Sequence, residues 1–219
     1  FPEMPTVGSD KTIVIDADIF SEMVKGTIFA VAQNEGAKPI LTGIYVTIED
    51  RILRFVAIDG YRLAIRRHNI DIEGSFSFIL SGRAVGEAVK LIDEETENVE
   101  ISFGDRLVSF NISGYSFISR LLEGEFVNYQ KTIPAEHRQR VVVNTRELTN
   151  TIERVSLLIS ESFSTPIRCY FNELNVVFTC ATSVGRATET FNRFYNFSIF
   201  KINSHILTLY HMFKLFYIT

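Results

Sequence analysis

The feature that most restricts the fold is a pattern written twice. Asp50-Arg51 opens a run through Phe55 and Ile58 to Gly60-Tyr61, and about fifty residues later Asp105-Arg106 opens a shorter run through Phe110 and Ile112 to Gly114-Tyr115. Each copy alternates apolar and polar residues, turns at a glycine and resumes the alternation, as a hairpin with one buried face does. A chain that repeats such a unit builds stacked or ring-forming copies with extended surfaces more readily than a single concave catalytic cleft.

Upstream of each hairpin an apolar run leads through a capping residue into a helical stripe. In the first copy residues 12–15 precede Asp18, the expected N-cap, and Phe20, Met23, Val24, Thr27, Ile28 and Val31 fall on one helical face. In the second, residues 76–80 precede Ser81, and Val85, Ala88, Val89 and Ile92 repeat the stripe. A third copy begins at residues 141–143, with Asn144 or Thr145 as the cap and Leu148, Ile152, Val155 and Ile159 as the stripe. Residues 173–180 and 185–191 supply its hairpin.

A hydrophobic fraction of 46% over 219 residues is enough for true cores. The formal charge of −4 carries no global basic signal, so nucleic-acid contact requires a local cationic face. Cys169 and Cys180 read as buried small residues of a reduced, cytoplasmic protein. The chain opens on Phe1 with no signal-peptide pattern, and the expectation is a piece of a longer protein. Residues 191–219 change character: nine of the twenty-nine are aromatic, and Asp, Glu, Gly, Ala, Val and Pro are missing. Arg193, Lys201 and Lys214 break this segment below the roughly twenty apolar residues of a membrane span. Its composition predicts out-of-frame translation of an AT-rich gene.

Asp16-Ala17-Asp18, following Ile13-Val14-Ile15, offers one enzyme reading, a Mg²⁺-dependent phosphatase with Asp16 as nucleophile. Against it, Ile19 and Phe20 begin a buried stripe where small hydroxyl residues belong, and hairpins outnumber βαβ units. His68, His137, His205 and His211 lack zinc-ligand spacing, and no phosphate loop, dinucleotide glycine pattern or nucleophile elbow is present. No catalytic or metal-binding residue and no cofactor is therefore assigned. A structural repeat protein that binds other proteins without a DNA role is the other alternative. Lys25, Arg83, Lys90, Arg146 and Arg154 lie off the apolar stripes, facing away from the sheet, where equivalent helices side by side would present a strip of cations to a phosphate backbone.

With these elements assembled, the chain resembles the bacterial DNA polymerase III beta subunit, the replication sliding clamp. The resemblance is carried by residues 39–43 (PILTG), residues 57–64 (AIDGYRLA), residues 119–129 (SRLLEGEFVNY) and residues 132–134 (TIP), in the family's order. It implies an α+β DNA-clamp fold: repeated βαβββ halves with the helices on one face of antiparallel sheets. It further implies a complete middle domain over residues 1–134, the first half of the C-terminal domain over 135–190, and an aberrant tail over 191–219.

Family function follows as expectation: a non-enzymatic processivity factor, active as a homodimeric ring around duplex DNA and serving the polymerase III catalytic subunit, the clamp loader and other clamp-binding-motif proteins. Leu41, Ile58, Gly60, Tyr61, Arg62, Leu63 and Pro134 match one wall of its partner-peptide pocket. In that wall Leu and Ile suit an apolar floor, the glycine close backbone approach, and Arg62 a directed donor at the rim. The family's final C-terminal strand supplies the opposite wall, and the chain offers no match to it. Lys25, Gln33, Lys38, Arg83 and Lys90 are the expected DNA contacts.

Overall fold

The computed structural model describes Val7, residues 11–33, 38–133, 144–159, 167–171 and 175–191, and the backbone of 206–209. The chain divides into two compact units, Phe1–Ile133 and Pro134–Thr219.

The first unit runs β1 (Lys11–Asp16), α1 (Ala17–Lys25), β2 (Gly43–Glu49), β3 (Ile52–Ile58) and β4 (Leu63–Asn69), then repeats as β5 (Phe76–Ser81), α2 (Gly82–Val89), β6 (Asn98–Phe103), β7 (Leu107–Ile112) and β8 (Tyr115–Arg120). Two antiparallel four-stranded sheets result, ordered β1-β6-β7-β8 and β5-β2-β3-β4. The first strand of each half completes the other half's sheet, so the halves are related by a pseudo-twofold exchange and neither closes alone. α1 and α2 pack against each other and onto these strands. This is the βαβββ repeat that the sequence leads one to expect.

One phenylalanine joins the halves at the centre. Phe20 of α1 meets Phe55 of β3 edge-on, with ring centroids 6.1 Å apart, and Phe110 of β7 also at 6.1 Å. Phe55 and Phe110 are the same position in the two copies, and all three rings are fully buried. Each such side chain contributes about 1.5–3 kcal/mol through its burial. The turns are specified locally. Asp50-Arg51 and Ser113-Gly114 are two-residue hairpin loops in which both residues take positive φ, the geometry that matches the twist of the flanking strands.

Two sequence expectations are corrected at α1. Asp16, not Asp18, is the N-cap: its Oδ1 accepts from the N–H groups of Asp18 at 2.9 Å and Ile19 at 3.2 Å. The proposed nucleophile thus neutralises orphan donors of a helix, on a strand that pairs antiparallel with β6 and not within a parallel sheet. The stripe also does not continue as one helix to Val31. α1 ends at Lys25, where the buried Thr27 hydroxyl donates to Met23 O at 2.8 Å, and a 3-10 turn follows at Ile28–Ala30. Likewise Ile92 and Ile159 fall just beyond α2 and α3 and still pack on their cores.

The second unit contains α3 (Thr145–Ser156), β9 (Ile167–Phe171), β10 (Val176–Thr182), β11 (Gly185–Phe191) and β12 (Ile206–Leu209). Asn144 caps α3, its Oδ1 accepting from Glu147 N at 3.1 Å. Its core gathers Val155, Ile167, Cys169, Val176, Phe178, Cys180 and Phe191. Burial pushes the Cys169 thiol up to about 12 and also raises that of Cys180. The sheet order is β11-β10-β9-β12. The expected strand at 141–143 lies outside the described residues. Sequence reading assigned no element to the tail, yet its residues 206–209 pair antiparallel with β9.

Candidate functional site

The hairpin joining β3 to β4 departs from the repeat. Its counterpart between β7 and β8 turns in two residues, whereas Ile58 pairs with Leu63 across a four-residue loop, Asp59 to Arg62. Asp59 organises it. The Asp59 Oδ1 accepts from the N–H groups of Tyr61 and Arg62, both at 3.0 Å, and Oδ2 accepts from Arg62 Nε at 2.8 Å. Asp59 N donates to Arg62 O at 3.3 Å. Gly60 sits at φ +93°, a conformation that favours glycine, and no atom of the described residues lies where its Cβ would be. Tyr61 is 92% exposed.

Arg62 also lies over the Phe29 ring, with Cζ 5.9 Å from the centroid, within cation–π range. Phe29 belongs to the 3-10 turn after α1, and that segment links the hairpin to Leu41. The Ala32 N–H donates to Leu41 O at 2.8 Å, and Leu41 is half-buried in a second 3-10 turn, Pro39–Thr42. Of the sequence-selected wall, Ile58, Gly60, Tyr61, Arg62 and Leu63 share one hairpin, and Leu41 is tied to it through residues 29–32. Pro134 lies outside the described residues. Sequence reading missed Asp59 and Phe29. An Asp whose side chain faces donors two and three residues on is an Asx-turn signal and could have identified the first. The second was hidden because Phe29 falls off the helical stripe on paper, and only the 3-10 turn after α1 sets its ring beside Arg62.

A cleft of about 730 Å³ lies elsewhere on the unit, lined by residues including Phe76, Phe78, Phe103 and Leu121. None of the sequence-selected residues lines it.

The helix cations are all exposed, but they are not equivalent. Lys25 closes α1 and Arg83 lies in the first turn of α2, and among the described residues neither has a carboxylate partner. Lys90 is the C-cap of α2 and is held by Glu87 at 2.8 Å. Arg154 does not simply face away from its sheet: it reaches Glu189 of β11 at 3.1 Å, a hydrogen bond that raises the guanidinium pKa and lowers that of the carboxylate. Gln33 and Lys38 are exposed on either side of residues 34–37, which lie outside the described residues. His137, His205 and His211 also lie outside them.

Residues 14–128, which contain both repeat copies and the hairpin, match the profile of the DNA polymerase III beta subunit, central domain. The chain belongs to the DNA polymerase III beta subunit family. It is 32% identical to the beta sliding clamp of Bacillus subtilis over 163 residues, covering 74% of this chain and 43% of that protein. With the beta sliding clamp of Staphylococcus epidermidis it shares 29% over 194 residues, 88% of this chain and 51% of the relative. In three dimensions it resembles the crystal structure of the Bacillus subtilis DNA polymerase sliding clamp with a TM-score of 0.82 at 28% identity, covering 88% of this chain and 51% of that one. A DNA polymerase III beta subunit from Eubacterium rectale gives 0.81 at 27%, over 88% and 53%. The chain thus spans about half the length of the beta clamps it matches.

Proposed function

We propose that this chain supplies the middle domain (residues 1–134) and the first half of the C-terminal domain (135–190) of a replication sliding clamp, followed by an aberrant tail (191–219). In this reading the full protein is a non-enzymatic, cytoplasmic processivity factor that closes as a homodimer around duplex DNA. It tethers the polymerase III catalytic subunit, the clamp loader and other motif-bearing partners through a hydrophobic pocket. Leu41, Ile58, Gly60, Tyr61, Arg62, Leu63 and Pro134 form one wall of that pocket. Lys25, Gln33, Lys38, Arg83 and Lys90 meet phosphates without reading bases. Among the described residues no helix is long and apolar enough to cross a membrane.

The observation that carries the reading is the lengthened hairpin. Where its repeat copy makes a minimal turn, this one projects an exposed Tyr61 beside a braced Arg62, and Tyr and Arg are residue types enriched where interfaces bind tightly. The test is Leu41→Asp in an otherwise intact clamp, titrated calorimetrically with a peptide from the C-terminal tail of the polymerase catalytic subunit. A carboxylate pressed into an apolar contact costs about 2–3 kcal/mol, a loss of roughly 30- to 150-fold in affinity. Undiminished binding by a variant whose circular dichroism remains native would remove the groove from these residues.

A further inference from the structure

The Pro39–Thr42 turn that carries Leu41 has no fully buried residue of its own. Such a short 3-10 turn does not hold its shape unaided. Its internal hydrogen bonds are local, Leu41 N to Lys38 O at 2.8 Å and Thr42 Oγ1 to Pro39 O at 2.7 Å. What lies against it is the segment that leaves β8. Leu121 bridges Leu80 antiparallel, and Leu122 N donates to Ile79 O at 2.9 Å, so the segment starts as a strand beside β5.

It then crosses the sheet. At Gly43, the residue after the turn, a Cβ would lie 2.6 Å from Leu122 Cδ1 and 2.4 Å from Leu80 O, so the crossing depends on a missing side chain. Gly124, at φ +125°, comes so near the turn that its own Cβ would stand 3.0 Å from Ile40 Cγ2. Two residues further, the Phe126 ring stacks on Tyr45 of β2, centroids 4.7 Å apart and planes within 11°. The segment is therefore anchored at both ends, by the backbone at Leu122 and by the ring stack at Phe126, and between them it touches both flanks of the Leu41 turn.

We propose that residues 121–126 are a strap that fixes this turn, and that Phe126 is a positioning residue for Leu41. The consequence for partner binding rests on the groove reading above; the strap itself does not. Because the ring stack closes the strap, loss of the Phe126 side chain frees Gly124 from Ile40 and lets the turn open, while the Phe20–Phe55–Phe110 core is untouched. The strap sets how often Leu41 is in place.

The experiment is hydrogen exchange on the 219-residue chain carrying Phe126→Ala, Phe126→Leu or Phe126→Tyr. The amides of Leu41 and Ala32, which bond within and onto the turn, should exchange at least tenfold faster in Phe126→Ala, while the strand amides of β3 and β7 keep their protection. Phe126→Tyr should restore protection and Phe126→Leu only part of it, because an alkyl side chain fills space without stacking. Unchanged protection at Leu41 and Ala32, or equal acceleration throughout the unit, would overturn the strap. A fluorescein-labelled polymerase-tail peptide, titrated into the intact clamp with the same substitutions, should lose three- to tenfold in affinity with Phe126→Ala. If Leu41→Asp leaves that affinity unchanged, the groove reading has failed, and exchange alone decides the strap.

Discussion

Asp59 is where the hairpin loop is most open to a quantitative test. Its side chain is 13% exposed and that of Arg62 29%, so their pairing at 2.8 Å is only partly screened. Asp59→Ala removes two acceptor bonds to backbone N–H groups, each worth about 0.5–1.5 kcal/mol, and one charge-assisted bond worth about 1.5–3. Water reaching the loop amides and the guanidinium returns part of this, leaving a net loss of roughly 2–3 kcal/mol. Asp59→Asn separates the two effects, since its amide oxygen can still accept from Tyr61 and Arg62 N–H while its amide nitrogen faces Arg62 Nε donor to donor. The expected order of urea midpoints by circular dichroism is wild type, Asp59→Asn, Asp59→Ala. A double-mutant cycle with Arg62→Ala should return a coupling of about 1 kcal/mol or more. Equal destabilisation by Asn and Ala would show that the carboxylate charge, not the Asx geometry, orders the loop. A loss below about 0.5 kcal/mol for Asp59→Ala would refute the bracing of Arg62 altogether.

On the helices, Arg83→Glu in an intact clamp should lower DNA association and flatten its dependence on salt more than Lys90→Glu does, because Glu87 already engages Lys90. Removing one cation from a phosphate should reduce the log–log salt slope by about 0.9, and an unchanged slope would take the residue off the DNA face. In the second unit, Cys169 should resist thiol reagents at pH 8 until the unit unfolds. Its folded pKa of about 12 lies above that of a free thiol, so the folded state holds the proton longer and stability falls as pH rises from about 9 towards 12. Rapid labelling of Cys169 in the folded chain at pH 8 would contradict its burial.

What could be read from the sequence was whatever the repeat enforced. The equivalence of Phe55 and Phe110, the alternation around them and the stripe through Phe20, Met23 and Val24 required two halves sharing a core, and they share one. The helix ends were harder to read. Asp16 and Asp18 are both chemically fit to cap, and only the chain direction after Ile15 decides which carboxylate faces the free N–H groups. Thr27 and Ile28 continue the periodicity of α1 on paper, but a hydroxyl bonded back to Met23 O ends the helix while leaving those residues buried or packed on the core. At the site, the resemblance to the clamp family drew attention to Gly60-Tyr61-Arg62. The residues that hold Arg62 and Leu41 in place, Asp59, Phe29 and Phe126, act across turns whose geometry has no periodic signature.

The exchange of first strands between halves accounts for the fourth strand of the second unit's sheet. In the first unit β5 covers the edge of β2, and β1 covers the edge of β6, so each half depends on the other for one strand. By sheet order β9 is the equivalent of β2 and β6, and β12 lies where β5 and β1 would. Its register sets Ile206 opposite Tyr170 and Leu209 opposite Ile167. An uncovered strand edge presents unpaired N–H and C=O groups, and backbone groups accept any extended segment whatever its side chains. The open edge in the repeat therefore specifies a strand but not a sequence. A tail whose composition departs from that of the preceding chain can occupy it, which is why the slot is seen in the sheet order and had no sign in the sequence.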